Sequence, residues 1–318
     1  MARPLHSARR RMRLALLLLP FVSLACAPPQ RDPLPEILAE AAANQSTEPP
    51  PPVVRLRMPG TATASVPLRP LRYRFDMTPR SLRVDLKAKG DMRTLRCDVA
   101  LKPMSIEEDG TLRFEFKLDD ITLANDARMS TGVVAKYEQT FDEVKKLFGT
   151  ELVTTRGIIK EFGWNVPKNV SLAAYQILVD TSRVLRQLYP TLPEEPVGIG
   201  ARWTIEQEQR TTSYRAQHET LWTVTGLSDE SVDLSAKYTQ RAGRQPFGAS
   251  KRGVELASLD GHGDGTFHVG LAPVTSSAVT TLAIVTALDV PRKDDRPKRL
   301  DMSTASETRW APIEWALR

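Results

Sequence analysis

The chain has 318 residues, of which 41% are hydrophobic and 26% are charged, a balance typical of globular proteins. Residues 1–25 contain five arginines and no acidic residue, so five of the six net positive charges belong to this segment and the remaining chain carries only +1. Because nucleic-acid binding needs a concentrated basic surface, the composition argues against a nucleic-acid partner.

Residues 1–25 have the pattern of a secretory signal peptide. The arginine-rich stretch Arg9–Arg13 is followed by the apolar run Leu14–Ala25. This run is about half of the ~20 apolar residues that span a bilayer, which favours cleavage over a permanent membrane anchor. A buried N-terminal helix is the less favoured alternative, because no amphipathic pattern surrounds the run.

The segment Ser23-Leu24-Ala25-Cys26 resembles the lipobox of bacterial lipoproteins. In that family the cysteine is acylated and becomes the new N-terminus, so the resemblance implies lipid attachment at Cys26 and a membrane as partner. Ala27 follows the cysteine, and the sorting rule of that family then implies the outer membrane, facing the periplasm. Ser23 stands where the family usually has Leu, and an ordinary signal-peptidase site is the alternative.

Residues 26–52 are rich in proline and alanine and end in four consecutive prolines, Pro49–Pro52. Consecutive prolines favour extended polyproline II, so this segment is predicted to be a stiff tether. Residues 53–318 are predicted to form a single domain, with two lobes joined near residues 190–196 as the alternative. Cys97 is the only cysteine besides Cys26, so no disulfide framework is expected, and its alternating neighbours place it on a buried strand face.

From about Val53 onwards, apolar and polar residues alternate in several runs. Successive side chains of a strand point to opposite faces, so each run predicts a strand with one apolar and one solvated face. Such strands are typical of antiparallel sheets. The runs cover residues 71–75, 82–88, 112–118, 203–205 and 232–238.

Two segments in the middle of the chain have helical signals. The sequence Thr140–Glu143 fits a capping box and predicts a short helix that ends near Gly149. Ser171 can cap a second helix that runs to about Tyr189 and is stopped by Pro190. Together the elements predict an α+β fold, in which a long curved antiparallel sheet, half-barrel-like in shape, packs on one or two helices.

A second resemblance lies in the proline-rich connector after this helix. Residues 189–193 (YPTLP) and 196–203 (PVGIGARW) are similar to the P-x-L-P turn and PVG-x-G-x-x-W strand start of a family of uncharacterised bacterial envelope lipoproteins. The resemblance implies an envelope location and a compatible order of elements, and it implies no activity. From the residues alone, Gly198 and Gly200 predict a tight turn that docks Trp203 into the core rather than a dinucleotide-binding loop.

His218 and a glycine-rich segment are the candidates for a polar site. His218 is in phase with Trp222, so it faces the apolar side of a strand, either as a core residue or in a ligand pocket. Residues 260–265 (DGHGDG) match a calcium loop poorly, because Leu271 stands where a bidentate Glu is required. A hairpin loop between two strands is favoured. The alternative is a zinc site formed by His262, Asp264 and His268.

The stretch Val274–Val290 is rich in small and β-branched residues. It predicts a central strand, or a pair of strands, covered on both faces, with the floor of a cavity as the alternative. The basic run Arg292–Arg299 predicts a solvated hairpin loop with weak attraction to anionic lipid headgroups.

The sequence contains none of the motifs G-x-S-x-G, H-E-x-x-H, C-x-x-C or the P-loop, so we expect a non-catalytic protein without cofactor or metal. The favoured function is that of an envelope lipoprotein that binds an apolar ligand, such as a lipid, in the groove of its sheet. One alternative is a structural or assembly protein that acts through protein–protein contacts. Another is a hydrolase with an unrecognised carboxylate site or a site at His218.

Overall fold

A computed structural model describes residues 51–62, 67–88, 94–124, 131–167, 170–210, 214–247, 253–272, 274–291 and 297–313. The predicted signal peptide, Cys26 and the tether up to residue 50 lie outside the described residues, as do residues 292–296 of the basic run. Within these ranges, no helix is both long enough and apolar enough to cross a membrane.

Strands make up most of the described chain. Its two helices are α1 (Thr131–Val144) and α2 (Leu172–Leu185). Its strands, in chain order, are β1 (Val53–Met58), β2 (Arg80–Ala88), β3 (Thr94–Ile106), β4 (Leu112–Ala124), β5 (Phe148–Val153), β6 (Ile159–Trp164), β7 (Arg202–Arg210), β8 (Arg215–Leu227), β9 (Ser231–Ala242), β10 (Gln245–Pro246), β11 (Glu255–Leu271), β12 (Val274–Val290) and β13 (Lys298–Pro312).

The thirteen strands of the described chain belong to one antiparallel sheet. Their order is β1-β7-β8-β9-β11-β12-β13-β2-β3-β4-β5-β6, with the short β10 paired to β11. The two halves of the chain meet where β13 pairs with β2 and Trp310 lies opposite Val84. The predicted large antiparallel sheet is confirmed. It is open and far outweighs its two helices, so the fold is sheet-dominated rather than an even α+β mixture.

One face of the sheet, called the inner face below, carries the main apolar core and both helices. Phe116 of β4, Trp203 of β7 and Ile177 of α2 are fully buried in this core. Each such side chain contributes about 1.5–3 kcal/mol relative to an exposed one. The outer face carries charged pairs such as Arg83–Asp98, at 2.8 Å. The period-two alternation of the sequence therefore sorts apolar and charged residues between the two faces.

The helix starts are only partly as predicted. Ser171 caps α2 as expected, because its Oγ accepts a hydrogen bond from the Ala174 amide at 3.2 Å. α2 ends at Leu185, one turn before the predicted end at Tyr189. The prediction that the first helix starts at Thr140 was wrong, since α1 already begins at residue 131.

The hydrogen bond of Glu143 explains why the capping-box pattern predicted the wrong start for the first helix. Its carboxylate does not turn back towards the start of its own helix. Glu143 Oε1 instead accepts a hydrogen bond of 2.6 Å from the amide of Ser171, at the start of α2. The acidic residue therefore satisfies an unpaired donor of the neighbouring helix, a long-range relationship that a local motif does not encode.

Residues 71–75 are not a strand, contrary to the prediction. Leu71 and Tyr73 are buried as their alternation indicates. However, the Tyr73 amide donates to Thr155 O at 2.7 Å, whereas the Arg74 amide donates to Leu271 O at 2.8 Å. Because successive amides bond to two different segments, the stretch is extended and buried without joining a ladder.

The glycine-rich segment 260–265 is not a hairpin loop either. It lies in the middle of β11, which pairs without a turn with β9 on one side and β12 on the other. Val274–Val290 forms the single long strand β12, as predicted. The expectation that both faces of β12 are covered was wrong, because Val279 and Val285 on its outer face are 38% and 54% exposed.

Candidate ligand site on the inner face

A group of polar side chains lies on the inner face of β8 and β9. This polar cluster consists of His218, Trp222, Tyr238 and Gln240. Pairing between the two strands places His218 opposite Gln240, and Tyr238 opposite Thr220. The rings of His218 and Tyr238 have centroids 5.9 Å apart. The sequence prediction that His218 faces the apolar side is therefore confirmed, and the fold adds polar neighbours to it.

Three glycines of β11 continue the same face beside the cluster. Gly261 lies opposite Gln240, and Gly263 lies opposite Tyr238. The Tyr238 hydroxyl lies 2.9 Å from the position that a β-carbon would take on Gly265, and Phe267 Cε2 lies 2.7 Å from that position. Glycine at 265 therefore leaves the space in which the phenol group and the phenyl ring meet.

Three buried polar atoms of the cluster have no hydrogen-bond partner among the described residues: His218 Nδ1, Trp222 Nε1 and the Tyr238 hydroxyl. Other atoms of the cluster are paired. His218 Nε2 lies 3.1 Å from Thr220 Oγ1, and Gln240 Nε2 donates to Gln209 at 2.8 Å. An unsatisfied buried polar group costs about 1–3 kcal/mol, so three together indicate a place that receives polar atoms from a bound molecule or from water.

The polar cluster is uncharged near neutral pH. Burial lowers the pKa of His218 to about 4, so the imidazole is neutral at pH 7. Burial also raises the pKa of the Tyr238 hydroxyl, which keeps its proton. The indole of Trp222 can only donate a hydrogen bond. The cluster therefore offers neutral donors and no net charge.

Across the glycines, the inner face is partly exposed and carries apolar side chains together with small polar ones. Leu282 of β12 lies opposite Gly263 on one side and Ser306 of β13 on the other. A second core cluster lies beside it, with Leu256, Leu259, Ile284 and Leu288 buried. We call five of the partly exposed residues of β12 and β13 on this face the inner strip: the apolar Leu282, Leu300 and Met302 and the small polar Thr304 and Ser306.

A separate cavity lies next to the main core. It has a volume of about 140 Å³ and is lined by residues that include Arg80, Leu101, Leu188 and Tyr189. Ligand pockets for drug-sized molecules usually have about 300–1,000 Å³. This cavity is therefore too small to enclose a lipid, and the inner strip is the better candidate.

Glu151 is a second buried polar group outside the polar cluster. It is fully buried on the inner face of β5, opposite Phe114 of β4 and Phe162 of β6. Neither carboxyl oxygen has a hydrogen-bond partner among the described residues. Burial raises the pKa of Glu151 to about 8, against the opposing effect of the Arg186 charge, whose guanidinium lies 4.6 Å from the Phe162 ring centroid. Glu151 is therefore mostly protonated at pH 7.

The other residues singled out in the sequence do not join a site. Cys97 is fully buried, and burial raises the pKa of its thiol to about 12, so it behaves as a small apolar residue. Gly200 has a φ of 80°, and Trp203 Nε1 donates to Thr191 O at 2.9 Å, which fits the predicted turn that docks Trp203.

The alternative zinc site is not assembled. His262 pairs with Asp260 at 3.1 Å and His268 with Asp233 at 2.7 Å, all on the outer face. The two histidines are six residues apart on β11, or about 20 Å at strand spacing. Among the described residues, no group of three His, Cys, Asp or Glu side chains could hold a metal ion.

Sequence reasoning found only part of the site. His218 and Trp222 share a phase of the alternating sequence pattern, so their common face could be predicted from the sequence. Tyr238 lies in another run, and only the register between β8 and β9 brings it to His218. The sequence did not predict the burial of Glu151, because no local pattern distinguishes a buried glutamate from an exposed one. No family model, curated protein or solved structure matches the chain, so the site is argued from its own residues.

Proposed function

We propose that this protein is a non-catalytic envelope lipoprotein that binds an apolar ligand along the inner strip. The observation that carries the proposal is that two unlike surfaces lie on one face, on either side of the glycines of β11. Three buried polar atoms without described partners adjoin apolar side chains that remain partly exposed. Binding sites for small molecules commonly combine an apolar lining with a few polar groups that orient the ligand.

The inner strip fits an elongated ligand better than a compact one. From Leu300 to Ser306 it follows β13 for about 20 Å at strand spacing. In this proposal the sheet curves around the strip as a half-barrel, and the two helices fill the rest of the inner face. An extended acyl chain would lie along Leu282 and Met302, with its polar end at Tyr238.

The lipid anchor is the second part of the proposal and depends on the leader and Cys26. An acylated Cys26 and a tether up to residue 52 would hold the sheet close to the membrane from which an apolar ligand comes. The test is incorporation of labelled palmitate. The wild type should take up the label and Cys26→Ser should not, and an unlabelled wild type would contradict the anchor.

Native mass spectrometry of the exported full chain tests ligand binding. We expect an added mass that vanishes on denaturation and is extracted as an apolar molecule. Ser306→Arg places a charge on the inner strip and should remove this mass. Ser303→Arg, on the exposed outer face of the same strand, is the matched control and should keep it. A clean unliganded mass in the wild type would overturn the proposal.

The alternative of a structural or assembly protein needs an apolar outer surface. Val285 is exposed, but its cross-strand neighbours are Asp260 and Ser303. Val279 is exposed between Thr266 and Arg309. Polar neighbours therefore separate these two valines, whereas interaction surfaces are usually continuous apolar patches. On the outer face of β12, these valines therefore give the alternative no support.

A further inference from the structure

We infer that the ligand carries an uncharged acyl carbonyl, such as an ester, which accepts hydrogen bonds from Trp222 and Tyr238. This inference rests on the proposed ligand binding and specifies the chemistry of the ligand's polar end. It follows from three features of the polar cluster: its donors, its lack of charge and its distance from the inner strip.

The donors require an acceptor. Trp222 Nε1 is a donor only, and the Tyr238 hydroxyl has a proton to donate. Both atoms are buried without partners among the described residues. The Trp222 ring lies 4.8 Å from the Phe267 ring, measured between centroids, and Phe267 meets the Tyr238 hydroxyl above Gly265. Both donors therefore border Phe267 on the inner face of β11, and we infer that one carbonyl oxygen accepts from both.

The cross-strand neighbours of the two donors disfavour an ionised group. Tyr238 has Thr220 and Gly263 as its cross-strand neighbours, and Trp222 has Trp203 and Ala236. None of them carries a charge. A carboxylate or phosphate without a cationic partner would lose far more solvation energy on burial than a neutral carbonyl does. A free fatty acid or a phospholipid headgroup therefore does not fit the cluster.

The distance suits a molecule with a polar end and an apolar chain. Tyr238 and Leu282 both lie opposite Gly263, on its two sides. Neighbouring strands are about 4.8 Å apart, so the strands that carry Tyr238 and Leu282 are separated by about 10 Å. Gly263 places no side chain between them, and the Tyr238 hydroxyl reaches over β11 as far as Gly265. A carbonyl at the polar cluster would thus place its acyl chain on the strip.

The experiment uses the exported full chain with Cys26→Ser, purified without detergent and loaded with the fluorescent probe diphenylhexatriene. Displacement is measured with monoolein (a neutral ester), oleate (ionised) and octadecane (no acceptor). We expect monoolein to displace the probe at least tenfold better than the other two. Trp222→Phe and Tyr238→Phe should each weaken monoolein roughly threefold to tenfold, as loss of one hydrogen bond predicts, and leave octadecane unchanged.

Tyr73→Phe is the matched control, because it removes a buried core hydroxyl that donates to Pro190 O and lies outside the cluster. It should leave the preference for monoolein intact, and a thermal melt of each variant reports its folding. If the probe and octadecane bind but monoolein has no advantage, the inference on the carbonyl fails while ligand binding stands. If no probe binds to the folded wild type, the proposed function fails and this inference with it.

Discussion

The hydroxyl oxygen of Tyr238 lies 2.9 Å from the position that a β-carbon would occupy on Gly265, two residues along β11 from the glycine opposite Tyr238. Phe267 Cε2 approaches the same position to 2.7 Å. Real β-carbons essentially never show contacts below 3.0 Å, so any side chain at 265 would displace one ring or the other. The glycine thus leaves the space that the Tyr238 hydroxyl occupies at the polar cluster.

Gly265→Ala should destabilise the protein by about 1–3 kcal/mol, the usual cost of overpacking a core, and should weaken binding of monoolein. Urea unfolding and probe displacement measure the two effects. Gly163→Ala on β6 is the matched control, because its β-carbon would meet nothing within 4 Å and its change should stay within about 0.5 kcal/mol. A Gly265→Ala protein that unfolds and binds like the wild type would contradict the packing described above.

His218 should make the fold sensitive to acid. Its pKa is about 4 in the folded protein and 6.5 as the ordinary value, so between these pH values the unfolded chain binds more protons. The free energy of unfolding should therefore fall by about 1 kcal/mol per pH unit from pH 6.5 to pH 4 on account of this residue. His218→Gln should remove this contribution, measured by urea unfolding at several pH values.

The control for His218 is Gln217→Asn, a conservative change at the exposed neighbouring position on the outer face. It should keep the wild-type slope. Parallel pH curves for the wild type and His218→Gln would show that the imidazole is not held neutral by burial.

Glu151 should have the opposite effect on stability. Its pKa rises from 4.5 to about 8 on folding, so between these values the folded protein binds more protons than the unfolded chain. The free energy of unfolding should therefore fall as the pH rises through this range, by about 1 kcal/mol per unit. Glu151→Gln cannot ionise and should gain stability over the wild type steadily from pH 5 to pH 8.

Thr150→Ser, at the exposed position next to Glu151, serves as its control and should follow the wild-type curve. The comparison at pH 5 matters as well, since both proteins then have a neutral side chain at 151 and should be similarly stable. A constant difference at all pH values would mean that Glu151 is ionised in the folded state.

The Ser171 cap should contribute about 1 kcal/mol to the free energy of unfolding. Ser171→Ala removes the acceptor of the Ala174 amide, and it should lower the melting temperature by a few degrees. Ser171→Asn restores a neutral acceptor beside the Glu143 carboxylate and should recover most of the loss, which distinguishes capping from a general effect of substitution. Equal melting temperatures for the Ser, Ala and Asn proteins would contradict the role of the cap.

The alternation of apolar and polar residues predicted a strand correctly where a neighbouring strand pairs with the segment along its whole length. The runs at residues 82–88, 112–118 and 232–238 became β2, β4 and β9 with the expected buried faces. It failed at residues 71–75, where the amides bond to two different segments. Burial follows the local pattern, whereas strand identity depends on a partner that the local pattern does not specify.

The glycine-rich segment 260–265 failed for a related reason. Glycines at alternate positions usually punctuate a turn, but here they lie under side chains from neighbouring strands. Tyr238 and Gln240 of β9 occupy the space beside Gly265 and Gly261. That arrangement depends on the register between β9 and β11, which follows from the whole sheet. The positions of Tyr238 and Gln240 in the polar cluster could not be predicted for the same reason.

Photo-crosslinking tests the central claim most directly. The purified protein would be loaded with a monoacylglycerol that carries a diazirine in its acyl chain, irradiated, and mapped by peptide mass spectrometry. We predict labels on the inner strip, at Leu282 and Met302, and none at Val285, which is exposed on the outer face. Labels concentrated at Val285, or no label on a folded protein, would contradict ligand binding on the inner face.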